Sequence, residues 1–135
     1  MNAMNTALGE LLVSEADLAS DVIAGSLCGL VRITKEAGMI IPTRDFGQLD
    51  RTTKVMVCLL AMRAATTLGV AKCAEASVDE VARVVGFDSK TVGEYLSRLK
   101  RSYVAKGAAG YMISPEKVCL VAEEIRKARQ DKEDM

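Results

Sequence analysis

The chain has 135 residues, 18 of them basic and 18 acidic, half of them hydrophobic, with four cysteines and no histidine. That length suits one domain able to bury a real core, and a formal net charge of zero argues against a chain charged throughout for a polyanion. Without histidine the commonest general base is missing, and a mixed Cys/His zinc site within one chain is excluded.

In chain order, Met1 to Val13 lacks a basic start and carries Glu10, unlike a secretory signal. Ser14 and Asp17 have the spacing of a helix cap, and the sequence stays helix-compatible to Ala37, where Gly38 is a natural stop. Leu18, Val22, Leu27, Leu30, Val31 and Ile33 give this helix more apolar surface than a small domain needs. Gly25 and Gly29, four apart, would let another helix approach closely. The preferred reading is a subunit interface through Leu18, Val22, Gly25, Gly29, Leu30 and Ile33; the alternative is packing within the chain against the next long helix. Met39 to Leu49, with Pro42, Asp45 and Gly47, reads as a connecting loop. Asp50 or Thr52 can start the following helix. Its apolar run, Val55 to Ala71, is broken by Arg63 and Thr66-Thr67, so it predicts a core helix and not a membrane span.

The most informative stretch is Ser77 to Val121. Ser77 and Glu80 form an S-x-x-E capping box, and Val78, Val81, Ala82 and Val85 make one apolar face. Gly86 is placed to end that helix, and Asp88 or Ser89 to cap a second one. In the second helix Val92, Leu96, Leu99 and Tyr103 share a core face, which leaves Ser89, Lys90, Gly93, Glu94, Ser97, Arg98 and Arg101 outward. Short hydroxyls near the start and cations farther along suit phosphates and base edges, although an ordinary solvated helix face would look similar. Tyr103 to Lys106 and Tyr111 to Ser114 are short strands about the turn Gly107-Ala108-Ala109-Gly110. Ser114-Pro115 then caps a helix running through Val118, Val121, Ala122 and Ile125.

Helix, turn, helix, hairpin, helix is the order of a winged helix. Residues from about Val55 to Ile125 resemble the winged-helix domains of the MarR and ArsR groups of transcriptional regulators, carried by SVDEVARVVGFDSKTVGEYLSRLKRSYV and GYMISPEKVCLVAEEI. The resemblance implies a homodimer on double-stranded DNA, with Ser89, Lys90, Thr91, Gly93 and Arg98 at or near the nucleic acid. Arg101 and Lys106 extend that set. Charge distribution agrees: Met1 to Asp50 holds seven acidic and three basic residues, whereas Arg83 to Lys106 holds six basic and two acidic.

The expected fold is therefore mostly α with a small β-hairpin wing, a winged helix-turn-helix with an additional N-terminal helix. Residues 1–49 form the N-terminal helix and loop as a dimerisation element, 50–126 the winged helix, and 127–135 a charged, fraying tail, all in one compact domain. Cys28, Cys58, Cys73 and Cys119 lie in or beside apolar helical sequence with no C-x-x-C pair, which reads as small buried hydrophobes in a cytoplasmic protein. No metal site, cofactor or enzymatic motif is expected: there is no phosphate-binding loop and no nucleophile elbow. The expected function is sequence-specific DNA binding in transcriptional regulation. A winged helix used for protein assembly is the alternative, favoured by the neutral net charge, by Glu94 and by a short turn with only Lys106 beside it.

Overall fold

The computed structural model describes residues 15–71 and 73–133, with side chains over 21–71 and 73–130. The expected cap at Ser14 and the side chain of Leu18 lie outside the described residues. The described residues form six α-helices, one 3-10 turn (Pro115–Lys117) and two short antiparallel hairpins: α1 (Glu15–Leu27), β1 (Val31–Ile33), β2 (Ile40–Pro42), α2 (Arg44–Gly47), α3 (Arg51–Thr67), α4 (Val78–Val85), α5 (Ser89–Leu99), β3 (Val104–Lys106), β4 (Tyr111–Ile113) and α6 (Val118–Glu133). The chain is mostly helical, as its sequence indicated.

The centre is α3. Asp50 caps it by accepting from the Thr53 amide at 2.7 Å, and Val55, Val57, Leu59 and Leu60 are wholly buried in its middle. Because buried residues occur on successive positions, neighbours cover nearly its whole circumference: α1, α4, α5, α6 and β4 all pack on it. No helix among the described residues is long and apolar enough to cross a membrane.

Four expectations are corrected here. The first helix ends at Leu27, not Ala37, because Gly29 turns left-handed at φ +84 and the β-branched run that follows takes the extended form such residues favour. Val31 to Ile33 pairs with Ile40 to Pro42, so the expected loop contains a strand, and then the short α2 with Phe46 buried. Thr43 ties this hairpin back to α1, its hydroxyl donating to the carbonyls of Gly29 at 2.6 Å and Leu30 at 3.0 Å. The tail does not begin at 127, since α6 runs to Glu133 and Arg129 donates to the Ser26 carbonyl of α1 at 3.1 Å. Finally, only Cys58 is buried; Cys28, Cys73 and Cys119 are exposed.

The residues assigned to a subunit interface divide. Leu30 belongs to the chain's own core at 1 % exposure, and Val22 packs against that core from its edge. Gly29 is a turn residue beside the Arg129 guanidinium, whereas at Gly25 nothing lies within 4 Å of where a Cβ would stand, and the residue borders a groove with Arg126, Arg129 and Gln130 of α6. Ile33 lies half-buried on β1. Packing of α1 on α3 and α6 thus accounts for much of the apolar surplus within one chain.

Candidate nucleic-acid interface

Local signals build α4 and α5 as the sequence suggests. The Ser77 hydroxyl accepts from the Glu80 amide at 3.2 Å and the Glu80 carboxylate from the Ser77 amide at 3.3 Å, completing the capping box. Gly86 ends α4 at φ +86, a conformation costly for a residue with a Cβ. Extended Asp88 starts α5, and the neighbouring Thr91 hydroxyl holds the Asp88 carboxyl below the usual carboxylate range. Val92, Leu96 and Leu99 bury the inner face of α5, and Tyr103 is half-buried beyond its end.

The outer face carries what remains. Ser89, Lys90, Glu94, Ser97, Arg98, Lys100 and Arg101 are exposed, with Thr91 and Gly93 half-buried between them. Lys106 is exposed at the end of β3, its ammonium 5.7 Å from the Tyr111 ring centre. All seven sequence-assigned positions therefore lie on α5, the turn after it or the hairpin. Ser89 is the qualified member: its hydroxyl donates to Asp79 at 2.8 Å, so that donor is engaged in joining the first turns of α4 and α5.

A further cation joins this face without any signal in the local sequence. Arg51, exposed at the start of α3, lies with its guanidinium carbon 5.4 Å from the Phe87 ring centre. Phe87 meets Tyr95 edge to face at 5.8 Å, and Arg98 sits 5.4 Å from the Tyr95 ring. Two guanidiniums thus flank an aromatic pair at the turn between α4 and α5. Such contacts limit the rotamers of long cations, so less freedom is lost when they meet a partner.

The second hairpin is placed from outside itself. Ala76 bridges Tyr111 through two backbone hydrogen bonds of 2.8 Å, forming a one-residue third strand. Glu75 lies against Gly107 and accepts from the Ala109 amide at 3.1 Å, which holds the turn down. On the other side Arg63 donates to the Ile113 carbonyl at 2.8 Å. Burial lowers the Arg63 pKa from its ordinary value, and its Nε is buried with no hydrogen-bond partner among the described residues. Neither Glu75 nor Arg63 could be assigned from spacing, because both act on segments distant in sequence.

Chemically the face offers charge and hydrogen-bond donors, with one carboxylate, Glu94, among the cations of α5. Among the described residues no group of three or more metal-ligating side chains comes together. Compared with family models, curated proteins and solved structures, the chain finds no match in any of the three.

Proposed function

We propose that this chain is a winged-helix protein that binds double-stranded DNA as a homodimer and regulates transcription, with α5 as the helix that enters the major groove and the β3–β4 hairpin as its wing. The observation that carries the reading is the run of exposed cations Lys90, Arg98, Lys100, Arg101 and Lys106 on α5 and the hairpin it leads into. A helix docking by its N-terminal half would bring Thr91 and Gly93 to base edges and leave Lys90 and the later cations for the phosphate backbone. Arg51 flanks this face from the start of α3, over the Phe87 ring. Dimerisation draws support from the apolar groove of about 510 Å³ beside α1, lined by Leu27, Val31, Ile33 and Leu68, with Leu68 69 % exposed.

A second reading has an observation of its own. Asp79 and Glu80 occupy the first turn of α4, and Asp79 holds the Ser89 hydroxyl. Phosphate at that helix start would meet carboxylates, which suits a winged helix docking a protein with mixed charge. Fluorescence anisotropy with a labelled random duplex at low salt separates the two. Saturable binding at micromolar protein supports DNA as the partner; no binding there refutes it in favour of protein docking.

A further inference from the structure

A cavity of about 540 Å³ lies between the β1–β2 hairpin, α3, α4 and the turn at 107–110. Its volume falls in the range of roughly 300 to 1,000 Å³ usual for small-molecule sites. Met39, Met62 and Cys58 supply apolar, polarizable wall. The Cys58 thiol is neutral there, since burial and the nearby Glu80 push its pKa up to about 12 against the smaller opposing effect of Arg83.

Among the described residues the charged lining is one-sided: Glu36, Glu75 and Glu80 face the cavity against Arg83, and none of these carboxylates has an ion-pair partner there. Glu75 has a second role, because the same carboxylate that lines the cavity accepts the Ala109 amide and holds the hairpin turn. Ala109 itself lines the cavity.

We infer that this cavity binds a small organic cation with an apolar body, and that its occupancy is transmitted to the β3–β4 hairpin through Glu75. An apolar body displaces water from the methionine-lined wall, and the positive charge settles among the three carboxylates. A bare metal ion fits poorly, given that no cluster of ligating groups converges among the described residues. As the cation draws on the Glu75 carboxylate, that oxygen becomes a weaker acceptor for Ala109, and the turn beside Lys106 is loosened. Coupling of this kind is reciprocal, so a ligand that loosens the hairpin and a partner that needs it in place oppose one another. Binding of the cation stands by itself; only its effect on DNA rests on the proposed function.

The test uses the full chain with tetraphenylphosphonium, and with tetraphenylborate as an anion of the same shape. Calorimetry is expected to show one saturable site for the phosphonium and binding weaker by about tenfold or more for the borate, the difference being the carboxylates. Glu36→Gln, on an exposed turn away from the hairpin contact, and Glu75→Gln should each weaken the phosphonium several-fold. On the protein alone, the amide NMR signal of Ala109 should shift on titration in the wild type and not in Glu75→Gln. No saturable phosphonium binding, equal binding of the borate, or both variants binding as the wild type does would overturn the inference. A shifted Ala109 signal in a protein that binds no duplex would uphold the cavity and refute the DNA reading alone.

Discussion

Removing two cations from α5 should change how DNA binding responds to salt, and by an amount the structure sets. Lys90, Arg98, Lys100, Arg101 and Lys106 are the exposed cations of α5, its end and the hairpin. If each neutralises one phosphate, the slope of log affinity against log salt is about −4.5 per protomer, and Lys90→Ala with Arg98→Ala brings it to about −2.7. Raising salt from about 50 to 200 mM would then weaken each wild-type protomer's share of the site roughly 500-fold and the double variant's only about 40-fold. A dimer doubles both slopes. Anisotropy of a labelled duplex across that range measures them directly. Arg32→Ala with Arg126→Ala is the control, since both are exposed, Arg32 on β1 and Arg126 on α6 across from Gly25 of α1. An unchanged slope in the first pair, or an equal change in the control, would refute the assignment of this face.

Other outcomes follow from single contacts. Glu94→Gln removes the one carboxylate among the outward cations of α5 and should tighten duplex binding by about two- to fivefold, read in the same titration; weaker binding would mean that Glu94 itself makes a favourable contact, such as to a cytosine amino group. Gly110→Ala would drive a Cβ into the Ala76 carbonyl, so it should break the Ala76–Tyr111 bridge and lower stability by about 1–3 kcal/mol in a denaturant melt. Cys58 gives a pH effect with a definite sign: its thiol ionises near 9.0 when unfolded and near 12 when buried, so the neutral form is favoured in the fold and the stability this confers is lost as pH rises from about 9 towards 12. Cys58→Ala should show a shallower loss than the wild type over that window, and iodoacetamide should label Cys28, Cys73 and Cys119 in the native protein but Cys58 only after unfolding.

The parts legible in the sequence are those specified by neighbours in sequence. Ser77 with Glu80, Gly86, and the spacing of Val92, Leu96 and Leu99 are all signals read within one or two helical turns, and each has the partner or burial expected of it. The β3–β4 hairpin was readable for the same reason, through its glycine turn. Misreading began where one pattern supported two structures. Val31 and Ile33 fit a helical stripe, but their alternation with Arg32 also fits a strand, and Gly29 decides for the strand by terminating α1. The site residues that spacing could not reveal depend on contacts across the fold, as with Arg51 on Phe87 and Glu75 on Ala109.

Those distant contacts decide how rigid the candidate face can be. Strands of three residues joined by a glycine-rich turn are too short to hold a fixed position by their own pairing. What fixes Lys106 relative to α5 is therefore the set of outside groups: Arg63 from α3 on one strand, Ala76 alongside it and Glu75 over the turn. Each lies in a different environment. Arg63 is half-buried, with its Nε enclosed and without a partner among the described residues, whereas Glu75 is half-exposed and borders a cavity. The Arg63 contact is hard to perturb without unfolding the packing around α3, but the Glu75 contact can be broken from solvent. A hairpin held firmly at its base and loosely at its turn can be moved at the turn alone, and Lys106 stands at that turn.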